Sequence, residues 1–351
     1  MTAISSIGGL LLASLLFVSN AAAQPGNQPL FGSVQFRFVE TNGIRMRVAT
    51  LGERGPLVIL AHGWPESWYS WRHQMVALAD AGYRVAAPDM RGYGATDAPE
   101  NVEDYNILEL TADMAGLVDA LGEEKAIIVG HDWGSIVAWH SVLLHPDKFS
   151  ALVAMSVPYS GRPAQSPLLG WQQSFGDNFY YILYHQEPGV AETEYNANPE
   201  GLLSRLYLSP DSPRHPPVIT SPLRSAGGWI GRMGAPMGLP DWLTQQDLDY
   251  FVSQFRMAGF RGGINYYRNF HRNWELTPQL ENAHVTVPTL FIAGEKDVVI
   301  GRATQPQLQG AMSRVVDDLR GVVLLPEAGH WIQQEKPEET NAAILQFLRS
   351  L

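Results

Sequence analysis

The sequence predicts an α/β protein built on a mostly parallel sheet that helices flank. Short continuous apolar runs recur along the chain, and stretches with helical spacing separate them. Continuous runs, as opposed to alternating ones, are typical of strands buried on both faces, as in a parallel sheet covered by helices. The stretches between runs have the length of β–α–β crossovers, which also favours this fold class.

The predicted strands fall into two groups. The first group consists of residues 57–61, 83–87, 126–129 and 151–155, and the second of residues 287–292 and 322–325. Residues 111–121 have the apolar spacing of a crossover helix, and residues 337–351 read as a closing helix. Both groups are interpreted as parts of one sheet.

A helical insertion is predicted to separate the two groups. After Pro158 strand-like runs stop, and Pro, Gly, Tyr and Trp become frequent until strand-like runs resume. We therefore divide the chain into a first core part at 24–157, a helical cap at 158–285, and a second core part at 286–351. The insertion is rich in Tyr, Trp, Phe and Met, and we expect it to roof an apolar pocket.

The amino terminus, residues 1–23, resembles a secretory signal peptide. It has no charged residue, an apolar run at 7–18 that is shorter than the ~20 residues of a membrane span, and three alanines at 21–23. Cleavage there predicts an exported protein, periplasmic or secreted, without a stable membrane span. The usual basic start is absent, since the first basic residue is Arg37. A misassigned start or an uncleaved anchor are the alternatives.

Composition excludes several classes of function. The 351-residue chain has 24 Lys and Arg against 35 Asp and Glu, a net charge of −11, and no cysteine. The acidic balance excludes a basic nucleic-acid binder. Without cysteine there is no disulfide, thiolate metal site or cysteine nucleophile. The histidines show no metal-ligand spacing such as His-Glu-x-x-His, so we expect neither a metal nor an organic cofactor.

The strongest motif is Gly-His-Asp-Trp-Gly at residues 130–134, between a predicted strand and a helical stretch. This pattern matches a nucleophile elbow, in which two glycines permit a sharp turn that exposes the middle side chain. Here the middle residue is Asp132, which we predict to be the nucleophile. The alternative is an ordinary tight turn in which the aspartate caps the next helix.

Further candidates follow in the expected chain order. Asp297 and His330 come after the two strands of the second group, at strand ends where open α/β sheets bind ligands. Glu295 is a substitute for Asp297, and residues 156–160, the other common position for the acid, hold no carboxylate. In the motif His-Gly-Trp-Pro at residues 62–65, the backbone N–H of Trp64 could join that of Trp133 in an oxyanion hole.

Together these motifs resemble the α/β-hydrolase superfamily, and specifically the epoxide hydrolases, from about residue 34 to the carboxyl terminus. The resemblance extends to the insertion, where residues 181–189 and 265–269 are similar to the cap segments that carry the family's paired tyrosines. It implies that Tyr181 and Tyr267 bind the epoxide oxygen. Helical spacing alone is also compatible with core aromatics, and Tyr184 and Tyr266 are the neighbouring alternatives.

The resemblance implies hydrolysis of hydrophobic epoxides to vicinal diols. Asp132 would form an ester with the substrate, and His330, oriented by Asp297 and with an ordinary pKa of ~6.5, would activate water. Trp64, Trp133 and the two tyrosines would bind the substrate. The alternatives are a haloalkane dehalogenase, which also uses an aspartate, and a secreted binding protein that reuses the scaffold. The oligomeric state stays open, with a homodimer as one alternative.

Overall fold

The computed structural model describes residues 33–351, which form an eight-stranded sheet with helices packed on it and an inserted helical region. The predicted fold class is confirmed. The strand order is β1-β2-β4-β3-β5-β6-β7-β8, with antiparallel pairing of β1 with β2 and of β2 with β4, and parallel pairing elsewhere. The predicted signal peptide, residues 1–23, lies outside the described residues.

The six predicted strands are all present, and two more precede them. The strands are β1 (Gln35–Thr41), β2 (Ile44–Leu51), β3 (Leu57–Ala61), β4 (Arg84–Pro88), β5 (Ala126–His131), β6 (Phe149–Met155), β7 (Thr289–Gly294) and β8 (Leu319–Leu325). The sequence analysis missed β1 and β2 because they form an antiparallel hairpin with exposed positions along both strands, so neither has a continuous apolar run. Its two-residue turn, Asn42-Gly43, has positive φ at both positions, as a type I′ turn requires.

Helices from the sequence around the strands pack against the sheet. They are α1 (Arg72–Asp80), α2 (Ile107–Ala120), α3 (Trp133–Leu144), α11 (Gln305–Met312) and α13 (Pro337–Leu348), while the short α12 (Ile332–Glu335) packs on α1 and α13. Helix α2 begins four residues before its predicted start because the Asn106 side chain accepts hydrogen bonds from the N–H groups of Leu108 and Glu109. No helix within residues 33–351 is long and apolar enough to cross a membrane.

The insertion between β6 and β7 contains α4 to α10 and no strand of the described sheet. Its helices are α4 (Pro167–Phe175), α5 (Tyr181–Tyr184), α6 (Val190–Ala197), α7 (Pro199–Leu206), α8 (Gln245–Ala258), α9 (Arg261–Arg268) and α10 (Phe270–Leu276). This region matches the expected helical cap. The domain limits at 158 and 285 stay predictions.

The parallel strands bring distant parts of the sequence to one edge of the sheet. Strand β5 pairs with β3 and β6, and β7 pairs with β6 and β8, all in parallel. Every residue of β3, β5 and β7 is buried. The segments that follow the carboxyl ends of these strands therefore lie side by side, and they include all the core candidates named above.

Candidate active site

Asp132 lies in a strained turn between β5 and α3. Its φ is +51°, a conformation that costs a non-glycine residue on the order of 1–3 kcal/mol. A Cβ at Gly130 would clash with the carbonyl oxygen of Gly134, and one at Gly134 would clash with that of Ala61. Both glycines are therefore required by close packing. The Asp132 side chain makes no capping hydrogen bond to α3, which argues against the simple helix-cap alternative.

The two carboxylate oxygens of Asp132 have different neighbours. Oδ1 accepts a hydrogen bond from the backbone N–H of Trp64 at 2.8 Å. Oδ2 lies 3.6 Å from Nε2 of His330. Trp133, the next residue, begins α3, where the first backbone N–H groups have no partner within the helix. The structure thus places one predicted oxyanion donor directly on the predicted nucleophile.

His330 lies between the two aspartates. Its Nδ1 is 3.1 Å from Oδ1 of Asp297, while its Nε2 faces Asp132. Glu295, the alternative acid, is exposed, whereas Asp297 is buried. The structure therefore brings together Asp132, His330 and Asp297 in the order that the sequence predicts.

Ser156, which the sequence analysis passed over, completes this group. It follows β6 with a φ of +74°. It is the first of residues 156–160, which the sequence analysis names as the other common position for the acid. Its hydroxyl donates to Oδ2 of Asp297 at 2.5 Å and lies 2.9 Å from Nδ1 of His330. Residues 156–160 hold no carboxylate, as the sequence shows, and the hydroxyl of Ser156 contacts both Asp297 and His330 from this position.

The charges of this group shift two pKa values in opposite directions. Burial by itself lowers the pKa of His330, but the negative charges of Asp297 and Asp132 outweigh it and hold that pKa well above 6.5. Burial by itself raises the pKa of Asp297, but His330, Ser156 and the N–H of Val299 lower it overall. The pKa of His330 therefore departs from the ordinary value of a histidine, because two carboxylates face the imidazole.

Tyr181 and Tyr267 come from the insertion and meet above this group. Their ring centroids are 5.8 Å apart at 77°, and Tyr267 also packs edge-on against Trp64 and Trp133. Burial, and then the negative charge of Asp132, raise the pKa of both phenols well above 10. Both tyrosines therefore keep their protons and can act as hydrogen-bond donors near Asp132.

The neighbouring tyrosines point elsewhere. The hydroxyl of Tyr266 donates to the carbonyl oxygen of Arg91 at 3.0 Å, in a buried position. The pKa of Tyr184 is raised by burial and then by Glu194, with which its hydroxyl forms a hydrogen bond. An assignment shifted by one turn or one residue therefore does not fit this geometry.

Comparison with known proteins decides the family. Residues 56–337 match the family described as alpha/beta hydrolase fold. The chain is 47% identical to Epoxide hydrolase A of Mycobacterium tuberculosis over 91% of this chain and 99% of that protein. It is 41% identical to Epoxide hydrolase 1 of Siraitia grosvenorii, over 90% and 98% respectively. The chain belongs to the epoxide hydrolase family.

Solved structures agree. The crystal structure of Epoxide Hydrolase A from Mycobacterium thermoresistibile has a TM-score of 0.83 and 48% identity, covering 90% of this chain and 98% of that one. An epoxide hydrolase from Vigna radiata has a TM-score of 0.82 and 40% identity, covering 91% and 98%. The predicted enzyme class is confirmed, and the dehalogenase and binding-protein alternatives lose their support.

Trp229, another residue that the sequence analysis missed, belongs to the group of aromatic rings that pack around Tyr181 and Trp64 in the active site of this epoxide hydrolase. Its ring stacks on Tyr181 at 4.6 Å and lies parallel to Trp64 at 5.8 Å. Its backbone N–H donates to Glu194, which fixes the loop that carries it. His185 packs against the same rings, and burial followed by the charge of Arg268 holds its pKa well below 6.5.

A buried ion pair beneath the site was also missed. Glu66 accepts from His131 Nδ1 at 2.7 Å and from the N–H of Gly63 at 2.9 Å, and its other oxygen accepts from Gln333 at 2.9 Å. His131 Nε2 lies 2.8 Å from the carbonyl oxygen of His330. Both ring nitrogens therefore face oxygen atoms that can accept hydrogen bonds. Burial by itself raises the pKa of Glu66, but His131 and these bonds lower it to about 2.

The acidic and histidine side chains of this epoxide hydrolase are not arranged as metal ligands in the described residues. Across the part of the chain that the structure describes, no three His, Asp or Glu side chains are grouped so that they could hold a metal ion. The polar side chains at the strand ends contact one another or backbone groups instead. The arrangement provides a carboxylate, a histidine with its acid, and protonated phenols, which are the groups that nucleophilic opening of an epoxide requires.

Proposed function

We propose that this epoxide hydrolase converts uncharged, hydrophobic epoxides to vicinal diols through an ester on Asp132. The observation that carries the proposal is that the Asp132 carboxylate lies near two buried tyrosines, whose pKa values are raised by burial and then by the charge of that carboxylate. A carboxylate nucleophile suits attack on saturated carbon, and protonated phenols suit a leaving oxygen that needs a donor. These complementary groups occupy one buried space.

In the first step, Oδ2 of Asp132 attacks one oxirane carbon. The carbon–oxygen bond of the ring breaks, and the oxygen takes a proton from Tyr181 or Tyr267 while the other tyrosine donates a hydrogen bond. Oδ1 is already held by the N–H of Trp64, so it becomes the carbonyl oxygen of the ester. The difference between the two oxygens thus selects which of them reacts.

In the second step, His330 acts as the base. Forming the ester removes the charge of Asp132, which is one of the causes that raise the pKa of His330. The imidazole then gives up its proton more readily, and its neutral form can deprotonate water. Water attacks the ester carbon, and the N–H groups of Trp64 and Trp133 stabilise the oxyanion. Collapse of this intermediate releases the diol, whose departing oxygen takes the proton that His330 received from water. The proton left on the Asp132 carboxyl returns to the tyrosine phenolate, so that Asp132, His330 and the tyrosine recover their starting states.

The substrate class follows from the walls of the site. Trp64, Trp133, Tyr267 and Trp229 lie edge-on or stacked around the catalytic group. Apolar and aromatic linings with few polar groups bind uncharged, largely apolar ligands. We therefore infer aryl and alkyl epoxides as substrates.

The covalent route is tested with the variant His330→Gln. Ring opening should proceed and hydrolysis should stop, so intact-protein mass spectrometry should detect an adduct of the epoxide's mass on a peptide containing Asp132. Asp132→Asn is the matched control and should give no adduct. A confirmed substrate that leaves His330→Gln unmodified would refute the scheme.

Specificity for the oxirane is tested with an epoxide that also has a carbon–bromine bond. Early formation of the bromodiol without bromide release is expected. Bromide release with an intact oxirane would instead indicate dehalogenation and would assign the two tyrosines to the hydrophobic core.

We also propose that the chain is exported. The uncharged apolar segment and the alanines at 21–23 support this. Mass spectrometry of the mature amino terminus is the test, and a chain that begins before residue 24 in the exported fraction would contradict cleavage there. A homodimer is an alternative assembly, and light scattering of the purified protein distinguishes it from a monomer.

A further inference from the structure

The loop between β8 and α12, which carries His330, is held by a carboxylate from its own sequence neighbourhood. Oε2 of Glu335 accepts from the N–H of Gly329 at 3.0 Å, and Oε1 accepts from the N–H of Trp331 at 2.9 Å. These two N–H groups flank His330. One side chain therefore fixes the backbone on both sides of the histidine.

Fixing the backbone on both sides restricts where the imidazole can lie. The distance from Nδ1 to Asp297 is 3.1 Å and that from Nε2 to Asp132 is 3.6 Å, and both depend on the position of the His330 Cα. Charge-assisted hydrogen bonds to a carboxylate are stronger than neutral ones. The two hydrogen bonds of Glu335 therefore restrict the backbone around His330, whose distances to its two partners depend on its position.

Other attachments of this loop connect it to different parts of the molecule. The carbonyl oxygen of His330 is bonded by His131, and the indole N–H of Trp331 donates to the carbonyl oxygen of Leu206 in the insertion. Close packing of Gly329 against Pro210 and Glu335 leaves no room for a side chain there. Glu335 differs from these contacts because it binds the backbone on either side of the histidine at once.

We propose that Glu335 is a positioning residue for His330 in the ester-hydrolysis step. The inference rests on the proposed function, in which His330 acts after the ester has formed. The groups assigned to ring opening are Asp132, Tyr181 and Tyr267, and Glu335 contacts none of them. Loss of Glu335 should therefore slow the second step and leave the first nearly unchanged.

The test uses the full chain with the variants Glu335→Gln and Glu335→Ala. Gln keeps one acceptor but turns an N–H₂ group toward a backbone N–H, whereas Ala removes both acceptors. Misplacement of a catalytic group by ~1 Å can cost up to about 100-fold in rate. We expect hydrolysis of the ester to slow about 10- to 100-fold, with Ala at least as slow as Gln.

Glu327→Gln is the matched control. Glu327 belongs to the same loop, but its side chain is exposed and pairs with Lys296 at 2.6 Å. Rapid-mixing experiments on a fluorescent or aromatic epoxide give the rates of ester formation and hydrolysis separately. Accumulation of the ester on Asp132 in the Glu335 variants, but not in the control, supports the proposal.

Two results would overturn it. Equal slowing of both steps would indicate a merely structural role, and unchanged hydrolysis in Glu335→Gln would remove the role altogether. If the Ala variant does not fold, the near-isosteric Gln variant alone decides. The variant His330→Gln is run in parallel. If it accumulates the ester and the Glu335 variants do not, the positioning role fails while the proposed function stands. If it forms no ester, the proposed function itself fails.

Discussion

Replacement of Glu66 by Gln should destabilise the folded protein considerably, although Glu66 touches none of the reacting atoms. The side chain is fully enclosed and pairs with His131, also fully enclosed, at 2.7 Å. Without the carboxylate, Nδ1 of His131 and the N–H of Gly63 lose a buried, charged acceptor, and breaking a buried pair of this kind typically costs about 3–5 kcal/mol. The amide of the glutamine would also turn its N–H₂ group toward one of the groups that now donate a hydrogen bond to Glu66.

The magnitude can be worked from the pKa. The pKa of Glu66 falls from 4.5 to about 2 on folding, and each unit corresponds to ~1.4 kcal/mol, so ionised Glu66 stabilises the fold by about 3 kcal/mol at neutral pH. Since the folded-state pKa is depressed, this stabilisation is complete above the unfolded value and is lost as the pH falls toward about 2. The difference in unfolding free energy between wild type and variant should therefore stay constant from pH 7 down to about 4.5 and narrow as the pH falls from there toward about 2.

Urea denaturation followed by tryptophan fluorescence measures the free energy of unfolding at several pH values. Glu123→Gln is the control, because Glu123 pairs with Arg84 at 2.9 Å while a third of its side chain is exposed, and such pairs contribute ~0–1 kcal/mol. A Glu66→Gln variant no less stable than this control at pH 7 would refute the ion-pair reasoning. A difference that grows toward low pH would contradict the sign.

Three further outcomes are expected. Tyr267→Phe should lower the rate of ester formation by at least ~10-fold, since a positioned proton donor contributes ~100-fold or more. The control variant Tyr266→Phe should leave that rate nearly unchanged. Equal effects of the two variants in rapid-mixing kinetics would contradict the assignment of Tyr267. Trp229→Ala should raise kcat/KM for bulky aryl epoxides relative to small alkyl ones, as measured by competition, and an unchanged ratio would exclude Trp229 as a wall of the pocket. The rate of ester hydrolysis should rise with pH, because the raised pKa keeps His330 protonated at lower pH, and a single-turnover pH profile that falls instead would exclude it as the base.

Much of the fold could be predicted because buried parallel strands leave a direct trace in sequence. Strands β3, β5 and β7 appear as continuous apolar runs, since every residue in them is buried. The hairpin of β1 and β2 leaves a weaker trace because exposed positions interrupt its apolar pattern. Its Asn42-Gly43 turn was the available signal.

The candidate site divides in the same way. Asp132, Asp297 and His330 could be named because each follows a strand, in a fixed chain order. Ser156, Glu66 and His131 could not be named, since the role of such a side chain depends on partners that lie far away in the sequence. Ser156 and His330, for example, are 174 positions apart. Glu335 lies close to His330 in sequence, but its bonds go to backbone groups, which no residue pattern displays.

The insertion leaves the sheet after β6 and returns at β7, and these two strands are direct neighbours. Its two ends are therefore held close together by the sheet itself, and changes in the length or sequence of the insertion need not disturb strand register. The nucleophile, base and acid stay with the sheet, while both tyrosines and Trp229 belong to the insertion. Exchange of the insertion for that of a relative could thus change the substrate preference while the residues that activate water stay the same.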